Sequence, residues 1–434
     1  MDSLTDRLTL ARARQLLGTF DVLVFMSLLW LLVQYLRFVF PPLFETIQTE
    51  YGVSNADVGI MYSALLFAYA IMQFPSGYLS DRFSERGVLT AGAVVFAVGS
   101  LFVFLSAPFW SLLVGVGLIG LGTGTHKTVA INMLSRLYPS RTGLSVGVMD
   151  TVGQAGGALA PVTVVAVLAV AVDWRAIFLV GAVAIVASAY GFHHSAPGPS
   201  EQSETDAAEA ADETHGADGT DGTDGTDEPG RTDDTASGRA YLQLFRYYHF
   251  SAFVAVSSTF TFAWVGLTSF YPLYLSNVAS FSAGTAGALY SFLFVLSVSQ
   301  PLAGSLSDRF DATTIVLLTF CCIVVGLVGV LFSRTLLAFG ATTVLLGLGF
   351  HGFRPVRGAY LMQIIPAAVG GGVLGLVRTV MIVLSSLAPT LLGFTADAFG
   401  LAAAFGVLVA VSSVGLVLVL SLKLVPMPPE DEIV

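Results

Sequence analysis

Residues 77–83 read Gly77-Tyr78-Leu79-Ser80-Asp81-Arg82-Phe83, and residues 304–310 read Gly304-Ser305-Leu306-Ser307-Asp308-Arg309-Phe310. Six of the seven letters agree, and the copies begin 227 residues apart in a chain of 434. Each follows a long apolar run and is preceded by a glutamine and a nearby proline, Gln73 and Pro75 in the first copy, Gln300 and Pro301 in the second. A charged turn written twice at half-length, after apolar stretches, marks a duplicated membrane protein.

Composition agrees. Apolar residues make up 55% of the chain and charged ones 11%, against about 25% charged in an average soluble domain. Too little polar surface exists to wrap a soluble core. The 45 glycines fit spanning helices, where glycine is commoner than in soluble ones. Met1 to Arg14 mixes acids and bases without a small-residue cleavage site, so no removable signal peptide is expected. The two cysteines, Cys321 and Cys322, are adjacent within an apolar run and suggest neither a disulfide framework nor a metal site.

The net charge of −10 comes from one segment. Between Glu201 and Arg239 there are 13 acids and two bases; the rest of the chain holds 16 acids against 17 bases. The repeat Asp218 to Asp227 lacks apolar periodicity and the closing glutamate of a calcium loop, so it is expected to be a solvated, disordered linker. Such an insert suits a salt-rich cytoplasm. The expected division is a first bundle over 1–196, an acidic linker over 197–246 and a second bundle over 247–434.

A bilayer core of ~30 Å needs ~20 mostly apolar residues per helix. About twelve such runs occur: roughly 17–43, 57–79, 87–106, 109–137, 143–171 and 175–192, then 248–275, 284–306, 312–332, 335–363, 370–395 and 400–424. Lysine and arginine in the loops set the orientation. With the N-terminus inside, the cytoplasmic side holds Arg7, Arg12, Arg14, Arg82, Arg86, Arg136, Arg141, Arg231, Arg239, Arg246, Arg309 and Lys423, and the other side only Arg175 and Arg334. Both termini, both copies of the loop and the linker are therefore expected in the cytoplasm, with the chain in the plasma membrane.

The repeat extends past the loop. Gly120-Leu121-Gly122 returns as Gly347-Leu348-Gly349, Pro139 as Pro366, and Lys127 falls on Arg354, each 227 residues on. With one inserted residue, Asp150 falls on Arg378. Two like-oriented six-helix halves form a parallel repeat with a central site at their interface.

The paired loop resembles the signature Gly-x-Leu-x-Asp-Arg-x-Gly-Arg-Arg found between helices two and three, and eight and nine, of the major facilitator superfamily. The first copy matches through Gly77, Leu79, Asp81, Arg82 and Arg86, with Ser84 and Glu85 replacing the usual glycine and arginine. The second matches through Gly304, Leu306, Asp308 and Arg309 and diverges at Asp311 and Ala312. The resemblance implies an all-α integral membrane protein of twelve spanning helices in two pseudo-symmetric bundles, a secondary transporter that rocks between inward-open and outward-open states. A carboxylate at Asp81 could sit on the amide-rich start of helix eleven near Gly370, and Asp308 on that of helix five near Gly143. Asp81, Arg82, Arg86, Arg141, Asp308 and Arg309 are thus the gating candidates.

Ionisable groups inside a bilayer are costly and usually functional. Arg37, Lys127, Arg354, Arg357 and Arg378 fall inside predicted spans, and the acids there are Asp21 and Asp150. The family places helices one, four, seven and ten around the cavity; Arg37, Lys127, Arg354 and Arg357 lie on them and are the substrate-binding candidates. An excess of buried positive charge is best offset by an anion, and the planar fork of arginine suits carboxylate or phosphate. Arg37, separated by fourteen residues from Gly52-Val53-Ser54 and Asn55-Ala56-Asp57-Val58-Gly59, resembles helix one of the anion:cation symporters, and Pro139-Ser140-Arg141-Thr142-Gly143 their loop after helix four. The acid that often precedes that arginine is Leu36 here, and the early acid of helix four is missing. Coupling to a proton or sodium would fall to Asp21, His126 or Asp150, with Arg378 at the depth of Asp150.

The expected function is import of a small organic anion with a coupling cation, by a monomer in the bilayer with no cofactor and no nucleic-acid partner. A multidrug or metabolite exporter of the same fold would want an acidic cavity and a Gly-Pro pair in helix five; Gly153-Gln154-Ala155-Gly156-Gly157 lacks that pair. A transporter-like sensor would use the acidic segment as its arm. No nucleophile, phosphate loop or metal spacing supports an enzyme.

Overall fold

The computed structural model describes residues 2–196, 245–307, 309–364 and 370–425. Asp308 and residues 197–244, which hold most of the predicted linker, lie outside them. Among the described residues twelve helices are long and apolar enough to cross a membrane. They are α1 Asp21–Tyr51, α2 Asn55–Arg82, α3 Glu85–Phe104, α4 Phe109–Leu137, α5 Pro139–Ala169, α6 Ala176–Ser195, α7 Tyr248–Asn277, α8 Ala283–Ser307, α9 Ala312–Phe332, α10 Leu336–Gly358, α11 Val377–Phe399 and α12 Leu401–Leu424. The expected all-α architecture of two six-helix halves is observed. The first run was placed too short, because α1 continues through Pro41 and Pro42 into a polar turn that hydropathy does not register.

Side-chain caps fix where the helices begin. Ser54 and Asp57 form a reciprocal capping box at the start of α2, with hydrogen bonds of 3.2 and 2.9 Å. Ser84 accepts from the Gly87 amide at the start of α3, and Asp311 accepts from the Thr314 amide at the start of α9. These two caps stand 227 residues apart. The signature's glycine position has thus become a helix N-cap in both halves, which gives the departure from the family pattern a physical reason.

The two halves meet at the end of the bundle opposite the repeated loop. There α2 crosses α11, and backbone approaches backbone. A Cβ on Gly59 would lie 2.4 Å from the Pro389 carbonyl oxygen, and one on Gly393 would lie 2.3 Å from the Asn55 carbonyl oxygen. Ser63 Oγ accepts from the Thr390 amide and hydroxyl at 3.1 and 2.8 Å. Asp397, near the end of α11, accepts from the Asn55 and Ala56 amides at 3.0 and 2.8 Å and from Asn55 Nδ2 at 2.8 Å. A carboxylate therefore caps a helix N-terminus across the halves, where free amides and the helix dipole favour an anion.

On the other flank α5 meets α8. Ser291 Oγ donates to the Ala158 carbonyl at 2.9 Å, and Phe294 packs on Phe38 at 4.5 Å between ring centroids and against Gly157. The hydrogen bonds from Asn55 and Ala56 to Asp397, from Thr390 to Ser63 and from Ser291 to Ala158 hold these two seams together. Toward the repeated loop the helices diverge: Gly143 and Gly147 face open space, and the Asp150 side chain in mid-helix is 48% exposed. Helix α5 is closely packed at Gly153, Gly156 and Gly157, where a Cβ would meet Trp30, Leu31 and Phe294, and open at Gly143 and Gly147.

Candidate functional site

Helix α4 is broken where its charge lies. The Gly122-Thr123-Gly124-Thr125 stretch ends one helix at Gly124, and a second starts at His126. Thr123 and Thr125 turn their hydroxyls back onto helix carbonyls. The break leaves the Gly124 carbonyl to accept from Gln73 Nε2 at 3.0 Å, while Gln73 Oε1 accepts from Thr128 at 2.9 Å. In the second half Gln300 faces Nδ1 of His351 at 3.4 Å. The glutamine that precedes each copy of the loop therefore ties α2 to α4 and α8 to α10 next to the charged residues.

Lys127 opens the second segment of α4 and forms an ion pair with Asp150 of α5. Its ammonium also lies over the Trp30 ring at 5.0 Å, and Trp30 stacks on His126 at 5.6 Å with the planes nearly parallel. Each half repeats the arrangement. Arg354 of α10 lies over Trp264 at 4.9 Å, and Trp264 meets His351 edge-on at 5.4 Å. The tryptophan faces hold the cations in place by ring electrostatics. Trp30 and Trp264 line the charged site, whereas Tyr271 and Tyr290 are bonded within the second half, to Thr343 at 2.7 Å and to the Thr268 carbonyl at 2.8 Å.

Arg37 lies between Phe38 and Tyr69, 5.5 and 5.6 Å from their ring centres. Its Nε is buried without a hydrogen-bond partner, as is the Tyr62 hydroxyl beside it. Ser27, Trp30, Gln34 and Arg37 recur every three to four residues, so they share one face of α1. The Ser27 hydroxyl and the Gln34 carbonyl oxygen on that face are also buried and unpartnered. Buried polar atoms normally find partners, so such a cluster points to a ligand or water between the halves.

The bases act on one another electrostatically: Lys127 on Arg354 and Arg378, Arg354 on Arg37, and Arg357 on Arg354 and Arg378. Asp150 is the carboxylate that faces this group, and it acts on both Lys127 and Arg354. The structure thus brings together the four sequence-predicted binding residues with Asp150, Arg378 and His126. His126 Nε2 is buried and unpartnered. His351 is fully buried and doubly satisfied, donating from Nε2 to the Leu293 carbonyl at 3.0 Å. Asp21 stands apart, exposed near the start of α1.

Among the described residues no hydrogen bond or ion pair joins the gating candidates across the halves. Asp81 is exposed and has no hydrogen bond or ion pair among the described residues. Arg82 donates to Tyr78 on its own helix at 3.3 Å. Arg86 reaches the end of α6 in its own half, donating to the Ala196 carbonyl at 3.1 Å and to His193 at 3.4 Å. Arg141 and Arg309 are exposed, and Asp308 lies outside the described residues. A carboxylate-on-amide contact between the halves is formed at the opposite end by Asp397, a residue no local signal in the sequence singled out.

Relatives carry the same architecture. The chain is 26% identical over 82% of its length, and 82% of the relative's, to a probable sulfoacetate transporter of Cupriavidus necator. It is 31% identical to a hexuronate transporter of Bacillus subtilis over 31% of the chain and 32% of that protein. Among solved structures, a bacterial homologue of the human lysosomal transporter Spinster, inward-facing and occupied, superposes with a TM-score of 0.73 at 14% identity, covering 93% of this chain and 96% of that one. The sequence matches the description Major Facilitator Superfamily over residues 26–336 and 279–433, and with twelve spanning helices in two halves around a charged cleft, the chain belongs to that superfamily of membrane transporters.

Proposed function

We propose that the chain imports a small organic anion together with a cation, by alternating access across the plasma membrane. The observation that carries the reading is the site's charge: five bases and one carboxylate between the halves. An apolar surround makes such an excess expensive unless an anion is bound. The anionic substrates named for the similar transporters agree with it. An exporter of lipophilic cations would find the wrong sign in this cleft. Purified protein in liposomes is expected to accumulate a carboxylate, sulfonate or phosphate ester under an ion gradient; movement of lipophilic cations alone would refute the reading.

The bases in the loops assign the end bearing the repeated loop to the cytoplasm. The observed state is then inward-open, sealed outside by Asp397 and the two glycine crossings. Asp150 is the acid we assign to coupling, to a proton or to sodium, because it faces the cations and is reached from the open cleft. Replacing it with Asn is expected to abolish gradient-driven accumulation while solute counterflow persists. Equal loss of both would make Asp150 a structural partner of Lys127 instead.

The acidic segment is assigned a passive role, as a tether between halves that transport as a unit. Deleting 201–234 is expected to change uptake rates less than about twofold, because its acidic, glycine-rich composition suits a linker and carries no apolar pattern. A tenfold loss would favour the sensor reading.

A further inference from the structure

The bases are divided between the halves, Arg37 and Lys127 on the first and Arg354, Arg357 and Arg378 on the second. Asp150 is the acid that faces them, so the protein's own groups leave the site an excess of four positive charges. A ligand with one negative charge leaves three like charges facing each other in a cleft walled by tryptophan and phenylalanine. One with two negative charges leaves half the excess.

The anchors are also paired in space. Lys127 on Trp30 and Arg354 on Trp264 are equivalent cation-on-indole units, at 5.0 and 4.9 Å, one on each half. The Lys127 ammonium carries three donors, so its ion pair with Asp150 leaves donors for a ligand. The first half adds unpartnered polar atoms at Arg37 Nε, Tyr62 Oη and Gln34 Oε1. Two fixed positive anchors facing each other suit a molecule charged at both ends. A ligand bound at one end only would leave the second half's arginines exposed to one another.

We propose that the substrate class is the small dianion, with one anionic group held by Arg37 and Lys127 and the other by Arg354 and Arg357. This rests on the anion-import reading and sharpens it. The two groups are carboxylate, sulfonate or phosphate, since each accepts the paired donors of a guanidinium. Such a ligand also links the halves, so that binding and closure of the cleft act together.

The test is binding of small monoanions and dianions to the purified full-length protein at fixed ionic strength, by calorimetry and thermal shift. The panel pairs compounds of similar size, such as butyrate with succinate and isethionate with sulfoacetate. The tightest ligands are expected to be dianions, at least tenfold tighter than their monoanion partners. Arg354→Gln is expected to narrow that ratio by at least tenfold, and Arg357→Gln, should the first fold poorly, to narrow it in the same direction. Monoanions that bind as tightly as dianions, or a ratio unmoved in both variants, overturn the dianion proposal and leave anion transport standing. If no anion binds while lipophilic cations do, the import reading fails as well.

Discussion

Arg37→Ala is expected to reduce anion uptake at least about thirtyfold while leaving the folded protein as stable as before, or more so. The first part follows from the role of a buried charged donor: truncating one member of a desolvated charge pair costs about 2–5 kcal/mol, and each 1.4 kcal/mol is tenfold. The second follows from its surroundings. Without ligand the guanidinium rests on Phe38 and Tyr69 with Nε unpaired. Removing a guanidinium whose Nε is buried without a partner relieves a desolvation cost that offsets the packing lost beside Phe38, Tyr69 and Tyr62. Arg37→Lys should not restore uptake, because a point charge cannot reproduce the planar fork. Uptake by proteoliposomes and thermal unfolding of the same preparations check the pair of outcomes. A parallel fall in stability and uptake would make Arg37 a packing residue.

Gly59→Leu is expected to hold the α2–α11 seam open. The α2–α11 crossing leaves no room for a side chain at this position, because a Cβ alone would meet the Pro389 carbonyl oxygen at 2.4 Å and its carbon at 3.0 Å. Backbone cannot swing aside as a flexible side chain can. Overpacking of this kind costs typically 1–3 kcal/mol in a well-packed interior, and the cost falls only on the state in which the seam is shut. A state favoured by a few kcal/mol would lose its majority. Transport should drop by more than about tenfold, since the cycle must pass through the sealed state. Spin labels at Thr49 and Ala402, on either side of the seam, should report a longer distance in the variant. An unchanged distance with normal uptake would mean that the crossing yields more easily than its geometry suggests.

The architecture was legible because it depends on patterns the chain repeats. Apolar runs of spanning length, a signature loop written twice and a shared 227-residue offset fix twelve helices and two halves without any long-range information. Arg37, Lys127, Arg354 and Arg357 were legible for a related reason, since a base inside an apolar run is conspicuous wherever it sits. Their partners were not. Asp150 and Lys127 are read separately on α5 and α4, and nothing local says that they pair. Trp30 and Trp264 look like any buried aromatic until their cations are placed over them. Asp397 is the clearest case, because its partners Asn55 and Ala56 lie more than 340 positions away in sequence. The signature loop advertises a gate, and the gate that is shut lies at the other end.

The α2–α11 seam has a consequence for ionic strength. Its main contacts are glycine against backbone, a serine-threonine hydrogen bond and one carboxylate bonded to amides, with no ion pair among them. At about 1 M salt the Debye length shrinks to about 3 Å, and exposed ion pairs lose most of their attraction. Shape complementarity and short hydrogen bonds to amides are screened far less. A barrier made mostly of shape and neutral hydrogen bonds loses less on passing from dilute medium to brine than one held by exposed ion pairs would, the exposed Asp397 cap being its salt-sensitive part.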